Sequence, residues 1–262
     1  MSPFATVAGD PGSPWILHVP HASSAIPAAV RERIVLDDDA LAAELRAMTD
    51  AHTDLLAARV ADLVRGPRPW AFVNRLSRLV VDPERFPDQR EGMNRVGMGA
   101  VYTRTSTGAA LRAPDDAHRA ELIATLFEPY AHALAGLVDE RLAAAGRAVI
   151  LDVHSYPAAA LPYERHPGDE RPAVCLGADA WHTPRGLLDA AGAAFAPVGS
   201  VAVDQPFRGT YVPLRHYRRD DRVASIMLEV RRDAYLRDDG GPDRARVDRL
   251  ATAAAGLIDG WT

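Results

Sequence analysis

The sequence predicts an α/β protein, folded as a single three-layer domain over residues 1–262 with a central mixed, largely parallel sheet. Short apolar runs that suit strands covered on both faces alternate along the chain with longer segments of helical periodicity. The sequence shows no internal repeat, and no shift in composition marks a boundary between two domains.

In the first part of the chain the pattern predicts a buried strand and two helices. The run WILHV, residues 15–19, is continuously apolar and is closed by Pro20, as expected of a strand covered on both faces. Residues 40–48 and 53–64 have helical spacing, and the residues between them can cap one helix and restart the next.

Residues 69–116 predict a strand pair followed by a long loop. Over residues 69–87 the pattern predicts a strand, a turn and a second strand, with arginines at the ends. Residues 88–116 have no periodicity and are rich in Gly, Arg and Thr. Long loops in compact domains are usually functional or mobile.

The second half of the chain continues the alternation of helices and strands. A helix is predicted over residues 118–146, despite Pro129 inside it, with Gly146 as its stop. A buried strand over residues 147–155 follows directly. The remaining predicted elements are strands over 173–177, 200–204 and 224–232, and helices over 184–195 and about 243–259.

The composition excludes several classes of function. Apolar residues make up 48% of the chain and charged residues 25%, as in ordinary globular proteins. The net charge of -5, without a basic block, gives no reason to expect a nucleic-acid partner. Since Cys175 is the single cysteine, neither an intramolecular disulfide nor a cysteine-rich zinc site can form.

The same features predict a soluble protein of the reducing cytoplasm with no membrane partner. The N-terminal residues lack the basic and apolar regions of a signal peptide. No apolar run approaches the roughly 20 residues that a spanning helix needs. The pattern leaves the oligomeric state open.

Two histidines lie at equivalent ends of predicted strands. His21 follows the run that contains His18, and His154 lies at the end of the run VILDVHS, directly before Ser155. A histidine alone is more often a satisfied core or loop residue than a ligand. In open α/β sheets, however, ligands bind in the crevice at the carboxyl ends of strands. The matching positions of His21 and His154 therefore indicate a metal site, for which a catalytic zinc needs a third protein ligand.

The segment DAHTD, residues 50–54, offers three candidates for the third ligand: Asp50, His52 and Asp54. In one continuous helix over residues 40–64, His52 would share the apolar face and Asp54 would point away. In a helix that restarts near Asp50, Asp54 would lie in the first turn and could face the crevice. Periodicity does not choose between His52 and Asp54.

A metal-activated water also needs a base, and Glu229 is the candidate. It stands between Leu228 and Val230 inside an apolar run, where a carboxylate is costly unless it is paired or coordinated. The structural alternative is an ion pair with Arg231 or Arg232. The functional alternative is a general base whose pKa is tuned by partial burial.

Arginines beside glycine, serine and aromatic residues suit bidentate binding of a substrate carboxylate. Arg75 and Arg78 lie in NRLSRLVVD, and Arg208 lies in FRGTYVPLRHY together with Tyr211 and His216. These five residues are the candidate substrate-binding set. The predicted partner is a small molecule that carries a carboxylate.

The motifs VPHAS, SRLVVDPER, DVHS, FRGTYVPLRHY and MLEVRRDAYL follow one another over roughly residues 15–236. Together they resemble the N-formylglutamate amidohydrolase family. The resemblance implies a zinc-exopeptidase-like fold, one metal per chain (zinc, with another divalent metal as the alternative) and hydrolysis of a formyl amide. It also implies roles for particular residues: His21, His154 and Asp54 as ligands, Glu229 as base, and Arg78 and Arg208 as carboxylate binders.

The sequence departs from the family pattern at two motifs. Ala22 and Ser23 follow His21 where the family usually has Ser-Gly, and Pro83 and Glu84 replace Leu-Asn in the motif Asp-Leu-Asn-Arg. The second departure changes a polar residue near the expected substrate pocket. The predicted substrate is therefore N-formyl-L-glutamate or a related N-formyl or N-acyl amino acid.

A non-catalytic binding protein on the same fold is the alternative function. The presence of Glu229 argues against it, because a binding protein needs no base. A serine hydrolase is disfavoured since the sequence lacks the Gly-x-Ser-x-Gly motif.

Overall fold

The computed structural model describes residues 2–164, 168 and 170–261, and these form one seven-stranded sheet with helices on both faces. The strands are β1 (Phe4–Val7), β2 (Trp15–Val19), β3 (Trp70–Asn74), β4 (Ala148–Tyr156), β5 (Val174–Gly177), β6 (Val201–Val203) and β7 (Val223–Arg231). Their order in the sheet is β1-β3-β2-β4-β7-β5-β6. Most strand pairs are parallel, but the pairs β1–β3 and β5–β7 are antiparallel.

The helices form the two outer layers. They are α1 (Ala28–Arg31), α2 (Asp38–Met48), α3 (Thr53–Leu63), α4 (Asp116–Leu122), α5 (Glu128–Ala145), α6 (Arg185–Phe195) and α7 (Arg244–Gly260). Side chains of α3, α6 and α7 pack on one face of the sheet, and α5 packs on the other. The α/β class with a mixed central sheet is confirmed. None of the described helices is long and apolar enough to cross a bilayer.

The alternation of side chains along β4 divides the core into these two faces. Val149, Leu151 and Val153 belong to the cluster under α3, α6 and α7, whereas Ala148 and Ile150 face α5. Each fully buried aliphatic side chain stabilises the fold by roughly 1.5–3 kcal/mol. Residues of β4 are buried along its whole length because the strand is covered on both faces.

The predicted helix over residues 118–146 forms with one irregularity. A π turn (Ile123–Phe127) joins α4 to α5, and Pro129 lies in the first turn of α5 directly after it. Pro129 has no N–H to donate, so the wider turn accommodates it without breaking the helix. Gly146 ends α5 with a φ of 76°, in the left-handed region that glycine tolerates.

The predicted strand, turn and strand over residues 69–87 is wrong in its second half. β3 forms, but β1 and β2 occupy both of its edges, which leaves no edge for a hairpin partner. The chain turns instead at Ser77, whose carbonyl accepts from the N–H of Val80. β1 had no sequence signal strong enough to predict it.

The strand order changes direction at β2, with β3 on one side and β4 on the other. The carboxyl ends of β2, β4 and β7 therefore open onto one crevice, the usual place for a ligand in an open α/β sheet.

Candidate functional site

A cavity of about 670 Å³ lies at these carboxyl ends. Strand alternation turns His154 of β4 and Glu229 of β7 to the face opposite Val153 and Leu228. The cavity is lined by carboxylates, histidines, arginines and aromatic residues, among them His21, Asp50, Arg78, Glu84, Arg85, Asp152, His154, Arg208, Tyr211, Glu229 and Arg232.

Three donor atoms converge at the floor of the cavity. Nδ1 of His21 lies 3.3 Å from Nδ1 of His154. Oδ2 of Asp50 lies 3.1 Å from Nδ1 of His154 and 3.6 Å from Nδ1 of His21. All three residues are buried. The structure thus brings the two predicted histidines together and adds Asp50 to them.

The break between α2 and α3 holds Asp50 in this place. Its N–H donates to the carbonyl of His21 (3.0 Å), and its own carbonyl accepts from the Thr53 hydroxyl (2.8 Å). His52, with a φ of 64°, adopts the left-handed conformation that lets the chain turn into α3. The interpretation with a restarted helix is therefore the one that the structure shows.

The far nitrogens of both rings face buried carboxylates. His21 donates from Nε2 to Oδ1 of Asp82 (2.9 Å), and Nε2 of His154 lies 3.1 Å from Oδ1 of Asp152. With its proton on the nitrogen that faces a carboxylate, each neutral ring presents the Nδ1 lone pair to the cluster. Such carboxylate–histidine pairs are usual behind metal ligands because they orient the ring and raise its basicity.

These atoms fit a divalent metal. With metal–ligand bonds of about 2.0–2.2 Å, the edges of a tetrahedral zinc site are about 3.3–3.6 Å. The three observed separations run from 3.1 to 3.6 Å. Two imidazoles and one carboxylate make a donor set known from catalytic zinc, and they leave a fourth position for water or substrate.

The pKa values of His154 and Asp50 are also compatible with the replacement of a bound proton by a metal ion. Burial lowers the pKa of His154, but the neighbouring Glu84 and Asp152 outweigh it and hold that pKa well above the ordinary value. Burial raises the pKa of Asp50, yet its contacts with His154 and His21 bring it below the usual range. The carboxylate is thus ionised, and metal binding would release a proton from the histidines.

Glu229 lies beside the cluster on the next strand. It is the register partner of His154 in the parallel pair of β4 and β7, and its side chain is buried. Burial raises the pKa of Glu229 to about 8. Within the described chain, its Oε2 has no hydrogen-bond partner, and it forms no ion pair with Arg231 or Arg232. An unpaired buried carboxylate facing a cavity is a strong candidate for a functional group.

Asp54 does not join the cluster. Although it lies in the first turn of α3, its side chain is exposed and accepts the N–H of Leu55. Asp54 therefore lies outside the group of converging donor atoms, and Asp50, four residues earlier, lies within it. His52 is half-buried and is likewise absent from the group of donor atoms.

The predicted substrate-binding residues separate into two groups. Arg78, Arg208 and Tyr211 line the cavity, whereas Arg75 and His216 do not. Arg75 is exposed, and His216 is buried with Nε2 3.2 Å from Asp139. The prediction of a substrate contact for Arg75 and His216 is therefore not supported by their positions.

The two predicted arginines that line the cavity, Arg78 and Arg208, differ in their surroundings. Arg78 donates from Nη2 (2.8 Å) and Nε (3.2 Å) to Oδ2 of Asp82, so much of its guanidinium is engaged. Arg208 is exposed, and its guanidinium forms no hydrogen bond or ion pair with the part of the chain that the structure describes. Arg208 is thus the freer of the two for a substrate anion.

His18 proves to be a core histidine. Its Nδ1 donates to Asp152 (2.8 Å), and its Nε2 accepts from the hydroxyl of Tyr130 (2.6 Å). Asp152 and Asp82 were not singled out from the sequence. The sequence could have predicted a position for Asp152 near His154, because residues two apart in a strand lie on the same face.

The N-formylglutamate amidohydrolase family model matches residues 13–236. The chain belongs to this family. The resemblance predicted from the motifs over residues 15–236 is confirmed. No curated protein sequence matches the chain significantly.

Two solved structures share the fold of this family member. One is an N-formylglutamate amidohydrolase from Ralstonia eutropha JMP134, 20% identical, with a TM-score of 0.82 over 99% of this chain and 97% of that one. The other is a gene product from Agrobacterium tumefaciens, 19% identical, with a TM-score of 0.74 over 99% of this chain and 94% of that one. At these identities the likeness shows that this chain shares the fold of the two structures.

Proposed function

We propose that this member of the family hydrolyses the formyl amide of N-formyl-L-glutamate or of a related N-formyl or N-acyl amino acid. The observation that carries the proposal is the convergence of Nδ1 of His21, Nδ1 of His154 and Oδ2 of Asp50 next to the buried Glu229, whose Oε2 has no hydrogen-bond partner among the described residues. We further propose that residues 1–262 act as one amidohydrolase domain, since β1 is a strand of the central sheet and α7 packs on that same sheet.

His21, Asp50 and His154 would hold one divalent metal, with zinc as the first choice for two imidazoles and a carboxylate. Bound there, the metal would supply a Lewis acid that polarises the scissile carbonyl and lowers the pKa of a water molecule. Asp82 accepts a hydrogen bond from Nε2 of His21 and keeps that ring oriented, and Oδ1 of Asp152 lies 3.1 Å from Nε2 of His154. Arg78 forms an ion pair with Asp82, and this pair holds the Asp82 side chain in position and compensates its buried negative charge.

Glu229 would move the proton. As a carboxylate it takes a proton from the attacking water, and as an acid it delivers that proton to the amine nitrogen that leaves. A pKa raised by burial suits both halves of this cycle near neutral pH. From an N-formyl substrate the products are formate and the free amino acid.

Arg208 would bind the carboxylate of the substrate. It is the cavity arginine without an acidic partner in the described chain, and a guanidinium binds a carboxylate through two parallel hydrogen bonds. Tyr211 lies nearby and is held through its N–H, which donates to Oδ2 of Asp152 (3.1 Å).

Arg208→Lys is expected to raise KM for N-formyl-L-glutamate about ten- to hundred-fold with a smaller effect on kcat. The loss corresponds to a charged hydrogen-bonded contact of about 1.5–3 kcal/mol, since an ammonium cannot reproduce the planar two-point contact. The measurement is formate release as a function of substrate concentration. Arg75→Lys, an exposed arginine outside the cavity, is the matched control and should leave KM unchanged.

The same assay with different substrates tests the class of substrate. N-formyl-L-glutamate should be cleaved with a much higher kcat/KM than its dimethyl ester, because the ester offers no anion to Arg208. A comparison of formyl-Glu, formyl-Asp, formyl-Gln and formyl-Ala then identifies the preferred side chain. Equal efficiency on the ester would remove the proposed carboxylate contact.

A further inference from the structure

Glu84 lies behind the histidine pair, on the side away from the three converging donor atoms. Its Oε1 is 3.3 Å from Nε2 of His154 and 3.6 Å from Nδ1 of His18. Its Oε2 is 3.6 Å from Nε2 of His21. One carboxylate therefore stands close to three imidazole rings, and its side chain is 15% exposed.

The backbone fixes Glu84 in this position. Its N–H donates to Oδ1 of Asp82 (3.2 Å), the same atom that accepts from His21. Pro83 restricts the preceding backbone. The Glu84 carboxylate is thus part of the same assembly as the histidine rings.

The carboxylates of Glu84 and Asp82 have different surroundings. Oδ2 of Asp82 accepts from Arg78 and from the hydroxyl of Tyr102 (2.7 Å), so two groups already share its charge. Within the described chain, the ion-pair contacts of Glu84 are all with histidines, and its Oε1 accepts no hydrogen bond. Its negative charge therefore acts mainly on the rings of His18, His21 and His154, and the last two belong to the group of converging donor atoms.

We infer that Glu84 is a positioning residue that raises the metal affinity of His21 and His154, an inference that rests on the proposed metal site. A carboxylate behind a ligating imidazole orients the ring and increases the electron density on the opposite nitrogen. Asp82 and Asp152 already do this for one ring each. Glu84 adds a charge that both rings share, in a buried setting where electrostatic interactions are strong.

The test is the Zn²⁺ affinity of the metal-stripped protein, measured by competition with a chromophoric chelator. Glu84→Gln keeps the shape and removes the charge, and it is expected to weaken Zn²⁺ binding about ten- to hundred-fold. Asp54→Asn, an exposed aspartate on the same molecule, changes the net charge equally and should bind Zn²⁺ like the wild type. The visible spectrum of the Co²⁺-substituted protein should shift in Glu84→Gln and not in Asp54→Asn.

Glu84→Asn places the residue usual in the family at this position, so it is a second variant in case Glu84→Gln does not fold. It should show the same loss of affinity. Unchanged Zn²⁺ affinity in a folded Glu84 variant would overturn the inference. So would two metal ions in the wild type and one in the variant, since Glu84 would then be a ligand. A wild type that binds no metal would instead overturn the proposed function.

Discussion

Glu229→Gln is expected to lower kcat for N-formyl-L-glutamate by about 10²- to 10⁴-fold, the usual contribution of a positioned general base. The amide keeps the shape of the side chain and cannot accept the proton of the attacking water. Because Glu229 is outside the group of three converging donor atoms, metal content should stay that of the wild type. Rates come from formate release, and metal content comes from elemental analysis of the same samples.

The stability of this variant separates a catalytic role from a structural one. Oε2 of Glu229 has no partner among the described residues, and replacing it removes no hydrogen bond from that atom. The neutral amide also avoids the cost of a buried charge, so Tm should be equal to or above that of the wild type. A kcat near the wild-type value would show that Glu229 does not act as the base. A large fall in Tm would show that the carboxylate is structural.

Asp50→Asn is expected to abolish stoichiometric metal binding, and Asp54→Asn is expected to leave it intact. The first change removes the only carboxylate among the three converging donors. The second changes an exposed side chain four residues later by the same chemical step, so it controls for the loss of one charge. The expected metal content is about one ion per chain for Asp54→Asn and close to none for Asp50→Asn.

The histidines test the same site independently of the carboxylate. His21→Ala and His154→Ala each remove one imidazole donor and should lose the metal as Asp50→Asn does. Retention of a full metal ion by the double variant would place the metal elsewhere in the molecule. Loss of metal from Asp54→Asn but not from Asp50→Asn would restore the assignment implied by the resemblance.

The sequence predicts the ends of β2 and β4 because each strand is covered on both faces and is marked by a mainly apolar run. His21 and His154 follow two such runs, and the structure places these runs side by side as β2 and β4. The prediction of one crevice for both histidines needed only the rule that ligands bind at the carboxyl ends of strands. Glu229 was predicted from a different feature, because it is a charged residue inside an otherwise apolar strand.

The proposed third ligand, Asp50, could not be predicted from periodicity, because it lies between two helices, where the helical pattern is interrupted. Asp50 occupies the break between α2 and α3, and its position depends on a hydrogen bond to the carbonyl of His21. That contact joins segments far apart in the sequence. Asp54 has the more regular helical position, but its side of α3 faces solvent.

The different positions of Arg75 and Arg78 could not be predicted from the sequence either. Arg75 and Arg78 are three residues apart in one motif, yet one points to solvent and the other contacts Asp82. The turn at Ser77, which replaces the predicted second strand, decides between these orientations. A short motif therefore indicated the right region of the chain without distinguishing the roles of its members.

Formate release by metal-stripped protein during titration with Zn²⁺ tests the central claim most directly. The account predicts that hydrolysis of N-formyl-L-glutamate is lost after chelation, returns in proportion to added metal and reaches its maximum at about one ion per chain. Asp50→Asn should show no such recovery. Full activity in the stripped protein, or no formate release from the fully loaded wild type, would contradict the account.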